Sequence, residues 1–317
     1  MDNMASNRKW PGWLEKLWWR EAWLTLEAAE PAILPPYLGS ILRGALGDLL
    51  RTVLCEAPGG EGAGPFLLLA PPPPGLEEIA MGGAASLPYR TGPPRDGETI
   101  PTLRCEAGWN FDFGGTLDLG LRLVGRASNA LPAILEAVAR CGLAVGGAQF
   151  RLVAARDSRG RLLYDRRWPG VAAQMPAAQR LSVEKETAGR IRIVFLSPTE
   201  LKLASAPTFA PEDFAARFFE YSIERAGQMY RACLGARPSR VEAPARAAMA
   251  GHRLFHYELP HHGFQQDAGM HFDGVAGYID LAGELGPAMP WARAAEVLHF
   301  GEKAALGLGK VRVLVLE

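Results

Sequence analysis

From Trp23 the stretch WLTLEAAEPAIL alternates apolar and polar positions with a period of two, which predicts a strand that Pro31, Pro35 and Pro36 then break. The following YLGSILRGALGDLLRTVLC carries apolar residues at helical spacing. Residues 56–104 hold ten prolines and nine glycines and no sustained period, so they read as a long surface insertion or loop in which a strand can hide. Alternation returns in TLDLGLRLVG (116–125), where Leu117, Leu119, Leu121 and Leu123 share a face. Ser128 or Asn129 is expected to cap an apolar helix ending near Gly142, and residues 149–165 predict a hairpin turning at Asp157 to Gly160.

The second half repeats this grammar. A strand is expected in RIRIVFLSPTELKL (190–203), a helix over 213–233, strands around LFHYEL (254–259) and HFDGVAGYIDL (271–281), a helix over 290–300 started by Pro290, and a closing strand over 310–317. Two successive βαββαβ-like units predict an α+β fold of two tandem ferredoxin-like domains with antiparallel sheets. The first is placed at residues 1–180, with its Pro/Gly-rich insertion at 56–104, and the second at 181–317; the junction falls near 170–190, at Pro169 and the polar run SVEKETAG.

A chain of 317 residues, 48% hydrophobic, is long enough for two such cores and excludes extended disorder. Lys+Arg and Asp+Glu are equal at 34 each, so any basic surface must come from uneven distribution. Only six of the cations are lysine, leaving a set dominated by arginine, the residue suited to bidentate phosphate contacts and base stacking. Cys55, Cys105, Cys141 and Cys233 are far apart and form no CxxC pair, which predicts buried thiols in a reducing cytosol. The tryptophan-rich start is interrupted by Glu15, Lys16, Arg20 and Glu21, short of a signal core or a membrane span, so a soluble cytoplasmic protein is expected.

Candidate chemistry concentrates in GEKAALGLGK, with Gly301, Gly307 and Gly309 between the last helix and the last strand. A nucleotide-binding fingerprint needs strand, glycine loop, then helix; here the order is helix, loop, strand, and Lys310 is followed by Val311 rather than Ser or Thr. Two readings remain: a plain turn needing positive φ, or a loop whose bare backbone approaches a phosphate chain beside Lys303, Lys310 and Arg312. Gly39, Gly44 and Gly47 each weaken the first helix by about 1 kcal/mol relative to Ala. With Ser40 and Arg43 they form a small, partly basic stripe for close packing or for approach of an RNA backbone. All six histidines fall in the last 66 residues; His252 and His256 are four apart, but in a strand-like segment, and no metal or cofactor is expected. His261 and His262 follow Pro260 in a loop-like stretch, and no GxSxG elbow is present.

LPPYLGSILRGALG near the N-terminus, YIDLAGEL before the last helix and VLHFGEKAALGLGKVRV at the C-terminus resemble the CRISPR-associated endoribonucleases that process repeat RNA, members of the RAMP superfamily. The resemblance implies two ferredoxin-like domains that bind CRISPR repeat RNA across a cleft and the glycine loop and cut it without metal. It implies RNA-binding roles for Gly301, Gly307 and Gly309, with His299 and Lys303 at their edge, and other effector-complex subunits as partners; Lys310 and Arg312, beside the loop in sequence, are expected to join them in binding RNA. Many relatives place a histidine in the N-terminal domain, whereas this chain has none there and offers Asp48 in RGALGD. Tyr37, Arg43, His261 and His262 are the expected substitutes: Tyr37 or a histidine for proton transfer, Arg43 for charge stabilisation. The alternatives are a non-catalytic subunit holding the 3′ hairpin of a guide RNA, and a glycine loop that binds a small anionic metabolite.

Overall fold

The computed structural model describes residues 11–54, 66–69, 75–83, 89–94, 100–105, 108–171, 175, 177–181, 186–199, 211–239, 241, 247–258, 273–301 and 303–316. The elements run β1 (Trp18–Ala28), β2 (Ala32–Leu34), α1 (Gly39–Leu54), β3 (Phe66–Leu69), α2 (Leu76–Ala80), β4 (Tyr89–Pro94), β5 (Pro101–Cys105), β6 (Trp109–Phe111), β7 (Thr116–Val124), α3 (Leu131–Cys141), β8 (Leu143–Val145), β9 (Ala148–Asp157), β10 (Leu162–Asp165), β11 (Trp168–Val171) and β12 (Gln179–Arg180). The second half continues with β13 (Arg190–Thr199), α4 (Pro211–Leu234), β14 (Ala248–Glu258), β15 (Asp273–Ala282), α5 (Met289–Leu298) and β16 (Val311–Val315).

The alternation in β1 and β7 puts leucine opposite leucine: Leu24 faces Leu119 and Leu26 faces Leu117, all buried under Leu38, Leu42 and Leu46 of the α1 region and Ile134, Leu135 and Val138 of α3. The first sheet has the order β11-β10-β9-β1-β7-β3. Within it β9-β1-β7-β3, all antiparallel, place fourth, first, third and second strands side by side around helices α1 and α3. The second sheet repeats this order as β16-β13-β15-β14, again antiparallel, with α4 and α5 as its helices. Both halves therefore have the ferredoxin-like βαββαβ arrangement expected from the pattern.

Two segments of the first half serve the second. Trp13, Leu14, Leu17 and Trp19 lie in the second core, with the Trp13 ring 5.2 Å from Tyr230 and 5.9 Å from Trp291. The Pro/Gly-rich stretch is not the surface loop expected: β3 completes the first sheet, while β5 pairs in parallel with β14 and β4 pairs with β5, extending the second sheet at its edge. Short strands carrying edge prolines show little periodicity, and their partner lies some 150 residues further on, so sequence patterning could not reveal them.

Other local expectations change as well. Neither Ser128 nor Asn129 caps α3; both sit in a 3-10 turn over Gly125–Ala130, Ala130 is the N-cap, and Pro132 lies in the first turn of the helix. Cys105 and Cys233 are buried thiols, but Cys141, at the solvent-facing end of α3, is exposed, and the Cys55 side chain lies outside the described residues. Among the described residues no helix is long and apolar enough to cross a membrane.

Candidate nucleic-acid interface

The segment between α5 and β16 is rich in positive φ. His299 (φ 60°), Gly301 (84°), Lys303 (56°), Gly307 (84°) and Gly309 (71°) reverse the chain within eleven residues. Gly309 is sterically fixed: a Cβ there would lie 1.8 Å from the Phe300 carbonyl oxygen. The Phe300 N–H donates to Gly309 O at 2.7 Å, Gly309 N–H to Pro198 O at 3.0 Å, and Lys310 N–H to the Ser197 hydroxyl at 2.8 Å. Gly307, Leu308 and Gly309 are buried. A phosphate therefore has no access to the Gly307 and Gly309 backbone expected to receive it; Gly301 and Lys303 stay half-exposed on the loop's rim.

His299 is also corrected. It is fully buried, so it cannot touch RNA. Its Nδ1 lies 3.0 Å from Leu308 O, an acceptor, which places the proton on Nδ1 and leaves Nε2 buried with no hydrogen-bond partner among the described residues. Burial, with the charges of Arg122, Lys310 and Arg225 adding to it, holds its pKa well below the usual histidine range. His299 is a neutral brace inside the loop.

The loop does not end in solvent. The Tyr37 hydroxyl donates to the Leu306 carbonyl, and a Cβ on Gly39 would fall 1.7 Å from the same oxygen. Gly39 is thus the glycine that close packing requires in α1, and what packs there is the loop of the other unit. Gly44 and Gly47 are different: a Cβ on either meets nothing within 4 Å, so the stripe does not act as one surface. Burial raises the Tyr37 hydroxyl well above its ordinary pKa and lowers that of Arg43, one turn further along α1 and half-buried.

Charged groups fasten the loop's base. Arg122 on β7 meets Glu21 on β1 at 2.6 and 2.9 Å, both side chains nearly buried, and reaches the Val297 and Glu296 carbonyls at the C-terminal end of α5. Arg225 of α4 contacts Leu298 O at 3.3 Å, so two guanidiniums meet the negative end of this helix. Lys310 is half-buried, its Nζ 5.6 Å from the Trp23 ring centroid, and burial lowers its pKa. Arg312 is exposed and paired with Glu77 at 3.0 Å.

The fold thus brings Tyr37, Arg43's helix and the glycine loop together. His261 and His262 lie outside the described residues. His252 and His256 lie on β14, where four residues of strand separate them by about 13 Å, too far for a shared ion. Among the described residues no group of three or more His, Cys, Asp and Glu could hold a metal ion. The Glu21–Arg122 clamp was missed; its only sequence signal is one acid and one arginine on the polar faces of two leucine-alternating strands.

Residues 193–311 match the family described as CRISPR-associated endoribonuclease Cas6, and residues 17–169 match a family described only as an N-terminal domain. No curated protein matches the chain at a significant level. Among solved structures, Thermus thermophilus Cas6 is 17% identical, with 94% of this chain and 99% of that chain covered and a TM-score of 0.53. A Cas6 product complex is 18% identical, with 94% and 99% covered and a TM-score of 0.50. A chain of a partial Cas6-RT-Cas1–Cas2 complex is 11% identical with a TM-score of 0.56, 94% of this chain covering 46% of that one. Residues 193–311 thus match the Cas6 endoribonuclease model, and the chain shares the fold of the Cas6 structures, as the resemblance read from the terminal motifs led us to expect.

Proposed function

We propose that this chain binds CRISPR repeat RNA, cleaves it by metal-independent attack of a 2′-hydroxyl, and keeps the mature guide RNA bound alongside other effector subunits. The observation that carries this reading is the junction of Tyr37 with Leu306, where a glycine loop with a lysine-bearing rim meets the start of the first helix. In the reaction a base takes the 2′-hydroxyl proton, O2′ bonds to the adjacent phosphorus, the P–O5′ bond breaks, and an acid protonates O5′, leaving a 2′,3′-cyclic phosphate. Tyr37 is protonated at neutral pH with its hydroxyl donated to Leu306 O, so it can serve as the acid only once that bond opens toward O5′. The base falls to His261 or His262, and the Arg43 guanidinium stabilises the crowded phosphorane. Lys303, Lys310 and Arg312 contact the backbone phosphates near half-exposed Gly301.

A second reading, a non-catalytic guide-RNA hairpin binder, is favoured by two observations: the Tyr37 hydroxyl is already engaged with Leu306, and no histidine precedes His252. Single-turnover cleavage of repeat RNA in excess EDTA separates the two readings. Cleavage to a cyclic phosphate, slowed about a hundredfold by Tyr37→Ala, His261→Ala, His262→Ala or Arg43→Ala, supports the enzyme. Tight, salt-sensitive binding with no product supports the binder.

A further inference from the structure

The chain's net charge is zero, yet residues 148–171 hold six arginines and two aspartates. They form β9, β10 and β11, the three-stranded border of the first sheet, at the opposite edge from β3, which packs against the glycine loop. Arg156, Arg159, Arg161, Arg166 and Arg167 are exposed there, with Arg161 at 60% and Arg167 at 82% side-chain exposure. Beside them Trp168 is 77% exposed, an unusual place for so large an apolar ring.

Glu27 of β1 pairs with Arg166 at 3.1 Å, while the edge's own two acids do not neutralise the remaining arginines outward. Asp157 is buried and accepts the Arg159 and Arg161 N–H groups at 2.9 Å each and Arg161 Nε at 2.7 Å; Asp165 is buried and holds the Arg167 N–H and guanidinium at 2.9, 3.1 and 2.7 Å. Both carboxylates spend their acceptors on fixing the two turns. Each turn therefore presents arginine nitrogens not used by these pairs, and the Arg159 side chain makes no ion pair among the described residues.

We infer that this arginine-rich, tryptophan-bearing edge is a second RNA contact, which holds a single-stranded part of the RNA outside the cleavage site. Guanidiniums that track phosphates beside one exposed aromatic ring form the arrangement that binds single strands without reading their sequence. Five strand intervals separate β11 from β3, about 24 Å along the sheet, so the edge and the glycine loop engage different nucleotides. This assignment rests on the RNA-binding reading of the chain, which the test below examines separately.

Fluorescence anisotropy with two probes, the repeat RNA of its own array and a labelled dodecauridine, is measured for wild type, Trp168→Ala and Arg159→Glu, with thermal melts confirming the fold. For dodecauridine, about a tenfold loss is expected from Trp168→Ala, the stacking contribution of one base, and a salt dependence shallower by about 0.7 in the log–log slope from Arg159→Glu. Wild type that fails to bind repeat RNA refutes the functional reading. Wild type that binds repeat RNA while dodecauridine binds no folded form, or binds both variants as tightly as wild type, refutes the second contact. Unchanged RNA binding together with lost association of Trp168→Ala with another CRISPR subunit would give the edge to a protein and overturn the inference.

Discussion

Both ferredoxin-like units end on a helix leading into a last strand, and they make that step in opposite ways. In the first unit, α3 passes through Gly142 into β8, which folds back on β9 through a two-residue turn, Gly146 and Gly147, at φ 61° and 90°. Its glycines close a hairpin, and a Cβ on Gly147 meets nothing within 4 Å. In the second unit, α5 passes through His299 to Gly309, takes positive φ at five residues, and lodges against Tyr37 and Gly39 of the other unit. Positive φ is common to both connections. What differs is the neighbour: the glycine content is similar, and only the second loop carries the contact between units.

The strongest break of this comparison is a pair of matched substitutions. Gly309→Val forces a Cβ onto the Phe300 carbonyl and into a disfavoured φ, and about 4 kcal/mol or more should be lost, seen as a melting temperature lower by about 8 °C or more. Gly147→Ala has open space and bears only the left-handed penalty, about 1–2 kcal/mol. Equal losses would mean that the second loop is no more constrained than an ordinary hairpin.

The clamp beneath the loop gives the next effect. Arg122→Ala leaves Glu21 in a nearly buried position with, among the described residues, only the Trp23 indole N–H, 2.8 Å away, and frees two carbonyls at the end of α5. Removing one partner of such a pair costs about 3 kcal/mol, and denaturant unfolding should report it. Because the bond joins the units, the variant should also expose the glycine loop to proteolysis sooner than the β8–β9 hairpin. Loss of stability without that ordering would place the clamp's effect inside the first unit alone.

Much of this frame was legible in the chain and some was not, for physical reasons. Period-two leucines in β7 and period-3.6 residues in α5 report burial against near neighbours, so both βαββαβ orders could be read. The crossing segments could not: Trp13 to Trp19 and β5 are set by partners far along the chain, which leave no local period. At the site, the residues Tyr37, Gly39 and Gly309 stood out, but not that the first two meet the loop. The RNA role expected of His299 failed because side-chain direction, and not sequence neighbourhood, decides exposure.

Tyr37→Phe is a smaller and more local probe. It keeps the ring and removes a donor to Leu306 O, so about 1 kcal/mol should be lost, or roughly 2–4 °C in melting temperature. A stability change near zero would show that the loop is held by packing at Gly39 rather than by the hydroxyl.

The smallest effect is a pH dependence that only the second loop should show. His299 is buried and neutral, its Nδ1–H committed to Leu308 O and its pKa well below that of a free imidazole. In the unfolded chain it titrates near 6.5, so as pH falls below that value the unfolded state binds a proton that the folded state refuses. Stability is therefore complete above about pH 6.5 and declines toward the folded-state pKa, at a slope of at most about 1.4 kcal/mol per pH unit for one proton. His299→Asn isolates this group, because it exchanges one non-glycine side chain for another at this positive φ and the asparagine amide can donate to the same carbonyl without titrating. Melting curves from pH 7.5 to 5 should fall more steeply for wild type than for His299→Asn while coinciding at the upper end. Parallel curves would mean that the buried imidazole admits a proton after all, and that the core of this loop opens as readily as the hairpin it was compared with.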